Sequence, residues 1–177
     1  PLNVGMLGMH GNYGPNILTN ECDVLIAIGM RFDDRVTGNL ATYAKQAKVI
    51  HFEIDPAEVD KNVKTDVAVL GDVKESLASL LPLVEAKSHE AWHNEFKEKY
   101  KIELESVIND ELNPKGEGIS MGETIEMINK HSNGDAIMVS DVGQHQMFTC
   151  RYSKFNQSKS NITSGGLGTM GFALPAA

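Results

Sequence analysis

The chain has 177 residues, 41% of them hydrophobic and 23% charged, with a formal net charge of −8. That acidic balance, with no clustered run of Lys and Arg, argues against nucleic acid as the main partner, because phosphate binding needs grouped cations. No stretch approaches the ~18–20 apolar residues that a bilayer span requires. The two cysteines, Cys22 and Cys150, form no CxxC and point to a reducing compartment, hence a cytoplasmic protein, rather than to a disulfide framework.

The opening residues show no basic-plus-apolar leader. Gly5, Gly8, Gly11 and Gly14 recur at every third position, too briefly for collagen. Such a loop lets backbone approach a phosphate or a flat ring, or is simply flexible. Asp23-Val-Leu-Ile-Ala-Ile-Gly29 is a short apolar run closed by glycine and reads as a buried parallel strand. Leu40 to Ala47 predicts a short helix, and Lys48 to Asp55 and Asp66 to Asp72 predict two further strands. Val73 to Val84 has apolar residues at 73, 77, 80, 81 and 84, which is helical spacing. Strands alternating with helices imply parallel βαβ units of an α/β, Rossmann-like sheet.

Ala86 to Asn113 is dense in Glu and Lys, with Trp92, Phe96, Tyr100, Leu104 and Val107 on one stripe, and predicts an amphipathic helix. Asn113-Pro-Lys-Gly-Glu-Gly118 then breaks the chain. A second βαβ-like pattern follows: a helix over about 120–131, a strand over Ala136 to Ser140, and a loop or helix start over Asp141 to Gln146. The expected organisation is therefore 1–85 as one α/β portion, 86–118 as helix and linker, and 119–177 as the beginning of a second α/β domain. Pro1 at one end and a helix just starting at Phe172 to Ala177 suggest cuts in a longer polypeptide.

Several motifs carry chemistry. Gly29-Met-Arg-Phe-Asp-Asp-Arg35 directly follows a predicted strand, where ligands of open α/β sheets bind. Two cations and two anions there serve a ligand or satisfy one another. Glu53 and Asp72 end the next two strands, either to accept hydrogen bonds from a dinucleotide or to cap helices. His89-Glu-Ala-Trp-His93 matches HExxH, but its charged flanks and missing third ligand argue against a zinc protease. Gly166-Leu-Gly-Thr-Met-Gly171 matches GxGxxG after only a very short strand candidate, Asn161-Ile-Thr163.

Taken together, Leu7-Gly-Met-His-Gly11, Gly29 through Gly38 (Gly-Met-Arg-Phe-Asp-Asp-Arg-Val-Thr-Gly), Gly71-Asp-Val73, Val142-Gly-Gln-His-Gln-Met147 and Thr163 through Phe172 resemble the large, catalytic subunits of acetolactate synthases, which are thiamine-diphosphate enzymes. The resemblance runs the length of the chain and is weakest over 86–118. It implies that 1–85 is the later part of a central FAD-binding domain. Leu7, Gly8, Met9, His10, Gly29, Met30, Arg31, Phe32, Asp33, Glu53, Ile54, Asp72 and Val73 would line that flavin, whose role is structural. Glu53 stands where relatives often carry Asp, which keeps the carboxylate. Asp34 and Arg35 would lie near the substrate channel.

By the same resemblance, 119–177 begins the thiamine-diphosphate domain. Gln144 and His145 would lie near the diphosphate. Gly168, Thr169 and Met170 would hold the aminopyrimidine, with Met170 wedging the cofactor into its bent shape. The activating glutamate and the segment holding Mg²⁺ on the diphosphate are expected outside these residues, so no catalytic residue and no metal ligand is assigned here, and the 177 residues alone should lack synthase activity. The implied reaction joins the two-carbon unit of pyruvate to pyruvate or 2-oxobutanoate for branched-chain amino acid synthesis. The implied partners are a second copy or a tetramer of the same subunit and a small regulatory subunit. A pyruvate oxidase and a non-catalytic nucleotide-binding module are the alternatives.

Overall fold

The computed structural model describes residues 2–177. The chain is mixed α/β, and both of its sheets are parallel. It divides into two compact units, residues 2–9 with 13–98 and residues 10–12 with 99–177.

The first unit is built on β1 (Val24–Ile28), β2 (Lys48–Glu53) and β3 (Val67–Leu70), paired in that order. Helix α1 (Tyr13–Thr19) precedes β1, the single turn α2 (Asp34–Thr37) follows it, and α3 (Val73–Leu80) follows β3. The register Ile26↔Ile50↔Val67 puts alternate residues of three strands on one face. Ala27 and Val49 point to the other face, where they form a core with Phe32, Tyr43 and Ala44.

Two expectations change. The apolar run expected as a buried strand is a strand with one covered face, because the core forms on the Ala27 side while Val24, Ile26 and Ile28 stay exposed. Leu40 to Ala47 is a series of turns rather than a helix. Asn39 takes the N–H of Ala41 on its side chain, and Ala44 sits at φ 41° with its N–H donated to Asn20. Those bonds take the backbone groups that an i to i−4 ladder would use. The helix expected over 73–84 leaves α form at Leu80 and continues as a 3₁₀ turn, Leu81–Leu83, where Pro82 removes a donor.

The second unit holds β4 (Met138–Ser140) and β5 (Asn161–Thr163), paired in parallel, with α6 (Met121–Ser132), α7 (Gln144–Tyr152) and the last turn α8 (Ala173–Ala176). Ser120 and Glu123 form a reciprocal capping box at the start of α6. The helix predicted over 86–113 runs from α4 (Glu90–Glu103) through a π turn (Leu104–Ile108) into α5 (Asn109–Leu112). Ile108 packs with Ile125 and Tyr152, joined by Leu104, Leu112 and Phe148.

Polar ties reinforce that core. Buried Glu103 pairs with Arg151, and the Tyr152 hydroxyl donates to Glu111. Burial, and then that bond to Glu111, push the Tyr152 phenol far above its ordinary value. Asn129 donates to the Tyr152 carbonyl at 2.9 Å and accepts from the Lys154 N–H at 3.0 Å. Among the described residues no helix is long and apolar enough to cross a membrane.

Two predictions follow from this packing. A Cβ on Gly122 would lie 2.3 Å from the Glu111 carbonyl oxygen, so Gly122→Ala should cost about 1–3 kcal/mol of stability, measured by urea denaturation. In the first unit, Asp66 accepts the Val49 N–H and the Lys48 ammonium, and Asp60 accepts the Thr65 N–H and hydroxyl; these bonds hold both carboxyls below the usual range. A lowered folded-state pKa contributes stability above the unfolded value and loses it as pH falls through the folded one. The melting temperature should therefore fall below about pH 4, and less steeply in the Asp60→Asn, Asp66→Asn double variant.

Candidate functional site

Three parallel strands bring their carboxyl ends to one edge, and the chain leaves each end through residues suited to receiving a ligand. The Gly29 N–H donates to Phe52 at 2.9 Å and the Gly71 N–H to Glu53 at 3.0 Å, extending the ladder by one residue. Both glycines then turn at positive φ, 59° and 147°. A Cβ placed on Gly29 would meet no heavy atom within 4 Å, so the backbone there is open to close approach by a flat or phosphate-bearing group.

Glu53 ends the central strand with its carboxylate partly held. Its Oε1 accepts the N–H groups of Ile54, at 2.9 Å, and Asp55, at 3.2 Å. Its Oε2 lies 3.6 Å from the Nε2 of His51. Beside it Ile54 is exposed, and Asp72 caps α3 by accepting from Lys74 and Glu75. The capping reading of Asp72 thus describes its bonds here, while Val73 opens the helix and stays exposed.

The charged run after β1 is largely self-satisfied. Arg31 pairs with Asp33 at 3.3 Å and Arg35 with Asp34 at 2.8 Å, while Asp33 also caps α2 through the Arg35 N–H. Phe32, at φ 51°, turns its ring into the core at 2% exposure, edge-on to Tyr43 and His51, and Met30 packs against the same cluster. Phe32 and Met30 therefore shape the edge from within, and its outer surface is left to the backbone and the charged side chains.

The segment bearing Leu7 to Met9 is pinned to this edge at Gly8. Gly8 and the Asn16 side chain exchange two hydrogen bonds, at 2.8 and 3.0 Å, and the Met9 N–H donates to the Arg35 carbonyl at 2.8 Å. Leu7 is half-buried and Met9 exposed, whereas His10 falls in the second unit. Sequence reasoning missed Asn16 and His51; an Asn two residues after Gly14 in a helix start, and a His within an apolar strand, were the available signals.

In the second unit the same logic recurs on a smaller sheet. After β4, Gly143 at φ 152° begins α7, and the His145 ring lies over it, 2.9 Å from where a Cβ would sit. Gln144 and His145 form the first turn of that helix, where backbone N–H groups face outward. Gln146 is buried and donates to the Thr163 hydroxyl at 2.9 Å, tying α7 to β5. After β5, Ser164 accepts the N–H of Gly168 on its carbonyl and that of Thr169 on its hydroxyl. Asp141 accepts the Ala173 N–H at 2.9 Å, so the turn over 165–172 is tied back to the end of β4. That turn is exposed, with Leu167 at 92% and Met170 at 80%. Two large apolar side chains held out by glycines at positive φ suit the edge of a flat heteroaromatic group.

His89 precedes α4 and His93 lies in its first turn. Among the described residues no three His, Cys, Asp or Glu side chains are grouped to hold a metal ion.

Residues 1–80 match the thiamine pyrophosphate enzyme central domain, and residues 141–177 match the C-terminal TPP binding domain of the same enzymes. Among similar proteins, the acetolactate synthase large subunit of Parasynechococcus marenigrum is 45% identical over 99% of this chain and 28% of its own length. The corresponding protein of Lactococcus lactis is 44% identical over 99% of this chain and 30% of its own. A probable acetolactate synthase large subunit of Methanocaldococcus jannaschii is 42% identical over 100% and 31%. The chain thus spans about 30% of the length of these relatives.

The pinning at Gly8 is testable. A Cβ there would lie 2.6 Å from the Arg35 carbonyl oxygen, at φ 86°. Gly8→Ala should destabilise the first unit by about 1–3 kcal/mol. Thermal melting, with hydrogen exchange at the Met9 amide, reads the effect.

Proposed function

The chain belongs to the thiamine pyrophosphate enzymes, and we propose that it is a segment of the large, catalytic subunit of an acetolactate synthase. The observation that carries this reading is similarity to such subunits along virtually the whole chain, at 42–45% identity in the three relatives described. The complete enzyme decarboxylates pyruvate and joins the resulting two-carbon unit to pyruvate or 2-oxobutanoate, toward branched-chain amino acids. Thiamine diphosphate, when bound, supplies the electron sink for that decarboxylation.

In this proposal residues 1–85 are the later part of a central FAD-binding domain, 86–118 a connecting helix and linker, and 119–177 the beginning of the thiamine-diphosphate domain. Backbone around Gly29 and Gly71 receives the flavin nucleotide, supported by the open space at Gly29. Leu7 to Met9, Met30 to Asp33, Ile54, Asp72 and Val73 surround it, and the Glu53 carboxylate accepts from its ribose. Asp34 and Arg35, paired and exposed, border the substrate channel. Gln144 and His145 sit beside the diphosphate, which Mg²⁺ neutralises, while Gly168, Thr169 and Met170 hold the aminopyrimidine. The exposed side chain of Met170 is the group that would fix the cofactor's bend. The group that activates the pyrimidine belongs to another part of the enzyme. A small regulatory subunit, as the relatives' name "large subunit" implies, and further copies of this subunit are the partners, in the cytoplasm.

The test is acetolactate formation from pyruvate by the complete large subunit carrying this segment, with thiamine diphosphate and Mg²⁺. Met170→Ala should lower kcat by roughly 100-fold, as expected when a reacting group is misplaced by about 1 Å. Acetyl phosphate formation with cycling flavin absorbance would instead assign the chain to a pyruvate oxidase.

A further inference from the structure

The geometry points to His51 as a positioning residue for Glu53: the buried imidazole holds the carboxylate in the attitude from which it meets a ribose hydroxyl of the flavin nucleotide. This rests on the assignment of Glu53 to that nucleotide made above.

His51 lies on the central strand at 0% exposure, and neither ring nitrogen has a hydrogen-bond partner among the described residues. A polar group buried without a hydrogen bond forfeits the hydration it would have in water. The neighbouring positions on that face, Val49 and Ala27, are apolar, so packing alone would favour an apolar residue at 51 as well. The period of two puts Glu53 on the same face, one step toward the ligand edge. Its Oε2 lies 3.6 Å from His51 Nε2, just beyond hydrogen-bond length.

The other oxygen is committed. Oε1 accepts the Ile54 and Asp55 N–H groups, so the carboxylate pivots about a fixed point and His51 limits the remaining rotation. The imidazole is itself braced, with the Phe32 ring edge-on at 5.1 Å and 74°. Phe32 belongs to the loop that leaves β1, so the same ring couples that loop to the orientation of Glu53. With Nε2 as the donor, a small inward movement of Oε2 completes an N–H···O bond and leaves the outer lone pair of that oxygen for a hydroxyl donor.

The test uses the complete large subunit and reads FAD affinity by flavin fluorescence, with melting temperature recorded for every variant. Gln places its amide nitrogen where the Nε2 of His lies, and Asn places its own where Nδ1 lies. His51→Gln should retain affinity within about twofold, and His51→Asn should lose about tenfold, within the range of direct couplings. In a Glu53→Gln background, His51→Asn should have no further effect on affinity. Equal losses for His51→Gln and His51→Asn, or an undiminished loss in the Glu53→Gln background, would overturn the proposal. If Glu53→Gln alone leaves FAD affinity unchanged, the nucleotide assignment of Glu53 fails, and the positioning role falls with it.

Discussion

Parallel strands cannot be joined by a tight turn; each must be reached by a crossover that returns the chain to the starting edge. In the first unit this requirement alone aligns the exits of β1, β2 and β3, separated by more than forty residues of sequence, along one rim. Gly29, Glu53 and Gly71 are neighbours for no other reason. The side chains at the rim then differ in how they are spent. Charged groups around Arg31 to Arg35 answer one another, whereas the backbone at Gly29 stays open. The edge is therefore less a cluster of free charged side chains than a shaped piece of main chain, open to close approach at Gly29.

The smaller sheet obeys the same constraint with fewer strands, and it relies more on polar ties. Gln146 to Thr163 and Asp141 to Ala173 are two of the bonds that fix where α7 and the 165–172 turn stand after β4 and β5. Each joins a residue just beyond one strand to a residue at or beyond the other. Such bonds hold loops that packing cannot, because Leu167 and Met170 face outward and contribute nothing to a core.

Much of this was legible in the sequence because it is local. Apolar runs closed by glycine or acid gave β1 to β3 within a residue or two, and the helix expected over about 120–131 is α6. What escaped depends on partners far along the chain. Leu40 to Ala47 has helical composition but forms turns, in part because Asn20, two dozen residues earlier, takes the Ala44 N–H. The Glu103–Arg151 and Glu111–Tyr152 pairs join positions about forty residues apart or more, which no periodicity encodes. The site is legible in the same uneven way. Its glycines and acids stood out at strand ends, but the bonds an Asp makes there depend on the turn that follows, and Asp72 accepts from Lys74 and Glu75 at the start of α3. His51 looked like one more residue of an apolar strand and became conspicuous only once both its nitrogens were seen buried without partners.

The π turn over Leu104–Ile108 carries a consequence of another kind. Such a turn is what a helix becomes on absorbing one surplus residue without breaking. Over the eight positions from Glu103 to Glu111, an uninterrupted α-helix would overshoot whole turns by about 80°, and the surplus residue removes most of that excess. Both carboxylates thereby face the adjacent pair Arg151 and Tyr152. Loss of a single residue from this stretch would leave a smoother helix, more regular by every local measure. It is relaxing to plain α form at the present length that would swing everything after the turn through roughly 100°, parting Glu111 from its tyrosine and Leu112 from its core. Here the irregular version of the helix is the one that fits the present length, and the stretch can shed its surplus residue with less change of direction than it can straighten.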